Sequence, residues 1–272
     1  TPCSKAGDEE VSGYADYTPI IRRSMSYQLQ KPDYFNMSFM LSTPTINMNA
    51  LRATLDELVR HHDMLRCVCR DGRLFIRKAD APNLYDIDEY SLQDCQNHEI
   101  EEKIREICNK MQSTISLENG PIVKVAVINV NSTWHIMMAV HHIAADGVSL
   151  RILLEDFEQG YHQYTKNKSI RLEPKTDSFI KWSNSIKEYE GSAALLEEIP
   201  YWKERSGKAV AIDFGKSSGS KRIRTSSVQL DEKLTDDIVR NSLASYNLRV
   251  NDVMLSIFAL AVRYATSHST FS

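Results

Sequence analysis

Two short strings hold most of the residues of this 272-residue chain that could do chemistry. The first reads His141-His142-Ile143-Ala144-Ala145-Asp146-Gly147, between an apolar run and an amphipathic one. An imidazole takes or gives a proton near neutral pH, because its unperturbed pKa is about 6.5. Asp146, four residues beyond His142, has the chemistry to hold an imidazole, pair with a cation or join a metal. Gly147 permits positive φ at the turn. On residue pattern alone, the two histidines serve equally well as polar residues at the edge of a core. A metal on His135, His141, His142 and Asp146 is not expected, since they lack H-E-x-x-H spacing and offer too few clear ligands. No G-x-S-x-G surrounds Ser149, so a Ser-His-Asp hydrolase is a poor fit.

The second string is Arg60-His61-His62-Asp63-Met64-Leu65-Arg66, at the end of a helical pattern. Cations there suit the negative end of the helix dipole, which is reason enough for their presence. Arg66 enters a strand-like segment. If Arg66 and Asp146 both turn inward, burying either charge alone is costly, and an Arg66–Asp146 ion pair is the expected solution. Asp146 is then a structural residue and not a base.

Hydrophobic periodicity supplies the frame. Alternation places Phe35, Met37, Phe39 and Leu41 on one face of a strand over 33–42. A helix is expected over 48–61, capped by Asn47, with Leu51, Leu55, Leu58 and Val59 as its apolar stripe. Asp71-Gly72 signals a hairpin within 65–77. A helix opening near Asn97 carries Ile100, Ile104, Ile107, Met111 and Ile115. Strands over 122–130 and 133–140 are apolar enough to be central, and a loop at 141–147 leads to a helix over 148–165. Further helices are expected over 177–190, 193–205, 235–246 and 252–265, with a strand near 222–230. The stretch 215–221 has linker composition and the wrong order for a phosphate loop. Residues 1–12 read as a disordered tail, 13–175 as an N-terminal lobe, and 176–272 as connecting helices and the start of a second lobe. The last helix is apolar almost all round, which requires cover on most sides; its place near the end of the chain suggests a fragment of something longer.

Composition excludes other classes. Hydrophobic residues at 42% and charged residues at 25% describe a globular chain, and the order of strand and helix patterns to about residue 170 reads as an α/β mixture. A net charge of −3 without a basic block disfavours nucleic acid as a partner. No apolar run approaches the roughly 20 residues that span a bilayer. The five cysteines form no C-x-x-C pair, and a reducing, cytoplasmic setting is expected.

The two strings together resemble a known family. His141 to Gly147 is similar to the H-H-x-x-x-D-G motif of the condensation superfamily of nonribosomal peptide synthetases. Arg60 to Arg66 resembles its R-H-E-x-L-R motif, with Asp63 in place of Glu, about 80 residues earlier. Within the superfamily, the run from Asp146 to Asp156 resembles the D-G-V-S-W-R-I-L-L-E-D text of epimerization domains, with Leu150 in place of Trp. Lys175-Thr176-Asp177-Ser178-Phe179-Ile180-Lys181-Trp182 and Tyr201-Trp202 are similar to epimerization text as well. Tyr17-Thr18-Pro19-Ile20-Ile21-Arg22-Arg23 keeps Pro-Ile but lacks the Gln and Trp expected after it, and Asp252 to Leu260 matches the next family motif only loosely.

The resemblance implies an α/β (α+β) sandwich like chloramphenicol acetyltransferase, with the 141–147 loop facing a tunnel between two lobes. It implies inversion at Cα of an aminoacyl or peptidyl thioester; peptide-bond condensation and a non-catalytic carrier-docking role are the alternatives. His142 is implied as the proton carrier, His141 as its support and the Gly147 backbone as a donor to the enolate. Ser149 is a helix cap first and a substrate-side hydroxyl second. A glutamate in an E-G-H-G-R-E-like string would be the second proton carrier, and no such string occurs in the 272 residues. The substrate would arrive on the 4'-phosphopantetheine of a peptidyl carrier protein domain, beside other synthetase domains of one polypeptide, so no cofactor need be bound by this chain.

Overall fold

The computed structural model describes residues 10–27, 29–208, 226–241 and 248–266. They fall into two units, Thr1–Glu190 and Gly191–Ser272. In chain order the first unit has β1 (Gly13–Ala15), α1 (Pro19–Ser26), β2 (Asn36–Thr43), α2 (Met48–His61), β3 (Cys67–Arg70), β4 (Arg73–Ile76) and β5 (Asp86–Ser91). It continues with α3 (Ile100–Ser113), β6 (Val123–Val130), β7 (Thr133–His141), α4 (Gly147–Thr165) and α5 (Phe179–Glu190).

The most apolar strands lie at the centre of the main sheet, whose order is β2-β7-β6-β5. β7 runs antiparallel to both neighbours, with Val140 opposite Met37 on one side and Val123 on the other. β5 and β6 are parallel, and α3 lies in the crossover between them. Because side chains alternate along a strand, Val123, Val125, Val127, Ile136, Met138 and Val140 share one core with α2 and α4. The intervening Ala126, Ile128, Met137 and Ala139 share the other with Met111 of α3. The central strands β6 and β7 are thus buried on both faces over most of their length. A small sheet, β1-β4-β3, is turned by Asp71 and Gly72, both at positive φ as the hairpin signal requires.

Two local features bear on the helices that carry the two strings: one fixes the start of α2, the other its contact with α4. Asn47 caps α2, its side chain accepting from the Ala50 N–H at 3.1 Å. Gly160 lets α4 approach α2: a Cβ there would sit 3.1 Å from Thr54 Cγ2 and 3.3 Å from Ile170 Cγ2.

The expected elements of the first unit form within a few residues of their predicted limits. Three more were not anticipated: β1, α1 and the polar edge strand β5. Phe35 lies just before β2, exposed, because Pro32–Tyr34 form a 3-10 turn.

In the second unit helices run over Ala193–Lys208, Glu232–Asp236 and Val250–Thr266, with a π-helical turn at Asp237–Asn241. The strand near 222–230 does not form at 226–230, which lack regular structure; 222–225, the stretch 215–221 and 242–246 lie outside the described residues. In Val250–Thr266 only Val262 is buried, while Leu255, Phe258 and Leu260 are exposed. No helix among the described residues is long and apolar enough to cross a membrane.

Candidate active site

His141 closes the central strand β7 and is almost fully buried. Its Nδ1 accepts from the Ile143 N–H at 3.0 Å, so its Nε2 carries the proton and donates to the Pro32 carbonyl at 2.8 Å. Burial holds its pKa below the usual histidine value, although the Pro32 carbonyl and Asp33 act in the opposite sense. Both ring nitrogens are committed, and the neutral ring shapes the loop.

His142 differs in each respect. It is half-buried and its backbone N–H donates to the Phe35 carbonyl at 2.9 Å. Its ring stacks on Phe35, centroids 4.8 Å apart and planes at 19°. Neither ring nitrogen has a hydrogen-bond partner among the described residues. The ring faces a cavity of about 660 Å³, whose walls include Ile20, Arg23, Tyr27, Leu117 and Trp182. An imidazole held in place yet free at both nitrogens suits general acid–base work.

Asp146 and Arg66 do not pair. Asp146 is exposed and caps α4: its Oδ1 accepts from the Ser149 N–H at 2.8 Å and the Ser149 hydroxyl at 2.7 Å. These two bonds hold its carboxyl below the usual carboxylate range. Arg66 is fully buried elsewhere, inside a 3-10 turn, Asp63–Arg66. Residues three apart eclipse in such a turn, so Arg66 meets Asp63 at 3.0 Å. Its other N–H groups donate to the carbonyls of Val11, Val59, Arg60 and Arg77. Desolvation does demand a partner for Arg66; the nearest carboxylate in sequence supplies it.

Gly147 also departs from expectation. Its φ is not positive, and a Cβ there would meet nothing within 4 Å. Its value at this turn is therefore open space beside the first N–H of a helix, which has no intrahelical acceptor. Ser149 is a cap partner that also lines the cavity. His135 lies at the far end of β7, paired with Ser42 through Nδ1 at 2.8 Å. The strand thus separates it from His141 and His142.

Sequence reasoning missed two contacts. Alternation places Phe35 on the strand face, whereas it lies just before β2 and supports His142. Asp156 sits on the buried face of α4 with Leu153, Phe157 and Gly160, and binds His62 Nε2 through Oδ2 at 2.7 Å. A carboxylate inside an apolar stripe was the available signal, since a buried charge needs a partner.

With this geometry in view, the comparisons with known proteins are specific. Residues 22–271 match the condensation domain family. Tyrocidine synthase 1 of Brevibacillus parabrevis is 29% identical over 260 residues, which are 92% of this chain and 24% of that protein. The chain therefore spans about a quarter of that relative. The epimerization domain from the third module of tyrocidine synthetase B superposes with a TM-score of 0.88 at 30% identity, covering 97% of this chain and 62% of that one. The starter condensation domain of rhizomide synthetase gives 0.58 at 18% identity, covering 71% of this chain and 48% of that one, a likeness of fold.

Proposed function

Because the chain belongs to the condensation domain family of nonribosomal peptide synthetases, with its chloramphenicol acetyltransferase-like fold, we propose that it is part of an epimerization domain. It would invert the Cα of an aminoacyl or peptidyl thioester. The observation that carries this reading is the likeness to the epimerization domain, with a TM-score of 0.88 at 30% identity over 97% of this chain.

A thioester sulfur donates poorly into its carbonyl, so the α proton is more acidic than in an ester. His142 takes that proton, and the C–H electron pair moves into the carbonyl to give an enolate. The N–H groups at the start of α4, Gly147 first, stabilise the oxyanion from the positive end of a helix. A proton returned to the other face completes inversion. The second carrier is the glutamate of an E-G-H-G-R-E-like string, which the 272 residues do not contain. His141 holds the loop, and Asp146 and Arg66 hold separate parts of the scaffold.

The substrate arrives on the 4'-phosphopantetheine of a peptidyl carrier protein domain, and neighbouring synthetase domains are the other partners. This chain itself holds no cofactor in that scheme. The test joins the chain to a second lobe bearing the E-G-H-G-R-E-like string and offers a carrier loaded with an L-aminoacyl thioester. D-amino acid recovered after hydrolysis supports epimerization. A dipeptide formed on an added acceptor carrier, with no D product, assigns condensation instead.

A further inference from the structure

The string that ends α2 has no part in the reaction proposed above, yet the fold gathers it with a residue 94 positions away. His61 is the last residue of α2, His62 is its C-cap, and Asp156 lies on the buried face of α4. One ligand atom from each of the three lies within 4.8 Å of the others. His62 Nε2 is already 2.7 Å from Asp156 Oδ2, and the two imidazoles meet edge to face with centroids 4.9 Å apart. All three line a cavity of about 410 Å³ on the α2–α4 side of the 141–147 loop.

We propose that His61, His62 and Asp156 bind one divalent transition-metal ion of the zinc class, which ties the end of α2 to α4.

Two imidazoles and a carboxylate are three of the four ligands such an ion takes, and the open cavity leaves room for water as the fourth. Ligand atoms about 2.0–2.1 Å from tetrahedral zinc lie about 3.3 Å apart. That spacing falls between the 2.7 Å and 4.8 Å found here, so small side-chain rotations suffice. His61 has a ring without a hydrogen-bond partner among the described residues. Lys175 brings a positive charge to the same cavity, but its ammonium is bound to Asp63 at 3.1 Å. Asp156 stands on the buried face of α4 with Leu153, Phe157 and Gly160, where a divalent cation offsets the burial of its charge better than a single hydrogen bond does.

The site is tested on chelator-stripped, tag-free protein titrated with Zn²⁺ by calorimetry and with Co²⁺ by visible absorption. One ion per chain and the d–d bands of a four-coordinate Co²⁺ are expected. His61→Gln and Asp156→Asn should each weaken binding by more than about tenfold, while His135→Gln leaves it unchanged. His61→Gln is the deciding variant, because its ring holds no other part of the fold. Absence of saturable binding, or binding undiminished by His61→Gln, overturns the proposal and leaves His62–Asp156 as a helix-linking hydrogen bond.

Discussion

His142 is held twice by one residue: its ring lies against the Phe35 ring at 4.8 Å, and its backbone N–H donates to the Phe35 carbonyl at 2.9 Å. Phe35 is itself 46% exposed, so its ring contributes little to the core and much to the orientation of the imidazole.

Phe35→Ala should therefore separate activity from stability. Displacing a reacting group by about 1 Å can cost 10²-fold in rate, so turnover should fall on the order of 10- to 100-fold. Stability should change by no more than about 1 kcal/mol, and Phe35→Tyr should keep most of the rate. Steady-state kinetics beside urea denaturation check both halves; equal losses in the two would count against an orienting role.

The separation of Arg66 from Asp146 has an energetic signature. Arg66→Met leaves Asp63 to Lys175 alone and takes the donor from the carbonyls of Val11, Val59, Arg60 and Arg77, and should cost about 3 kcal/mol or more, whereas Asp146→Ala loses only a helix cap, about 1 kcal/mol. Unfolding free energies of the two single variants and the double variant should add to within about 0.5 kcal/mol. A coupling well above that would restore the ion pair.

The sequence makes the frame legible and the side-chain partners much less so. Strands β6 and β7 and helix α2, with its Asn47 cap, are local patterns of apolar period and capping chemistry, and they form as read. β5 escapes because its Asp86-Ile87-Asp88-Glu89 text is polar, as an edge strand allows. The inward turn of Arg66 is legible in the sequence, but its partner depends on the 3-10 turn at Asp63–Arg66, a local geometry that hydrophobic period does not encode. The His142–Phe35 stack and the His62–Asp156 bond join residues brought together only by the sheet register and the α2–α4 contact.

His141 predicts a pH dependence. Its folded pKa lies below the ordinary value of 6.5 because of burial, so the unfolded chain binds the proton more readily. Its contribution to stability is fully present above about pH 6.5 and is lost as pH falls from there through the folded pKa. Urea unfolding between pH 5 and 7.5 should show this loss in the parent protein and a shallower one in His141→Gln. At neutral pH the same variant should cost about 2 kcal/mol through two buried hydrogen bonds. Parallel pH profiles would contradict the neutral, Nε2-protonated ring.

Gly147→Ala tests the backbone donor. With φ not positive and open space at the Cβ position, alanine should leave stability unchanged or raise it by about 0.4–1 kcal/mol. Turnover should nevertheless fall, because a methyl group then stands beside the N–H that meets the enolate. Denaturation and rate measurements on one preparation decide it, and undiminished turnover would remove Gly147 from the mechanism.

The central claim is that His142 moves the α proton. Its most direct test is exchange of that proton into D₂O, followed by mass spectrometry of an aminoacyl thioester on a carrier protein, with the chain joined to a second lobe. The account predicts rapid deuterium incorporation by the parent and a loss of about 10²–10⁴-fold in His142→Asn, with the fold retained. Full-rate exchange by His142→Asn would contradict it.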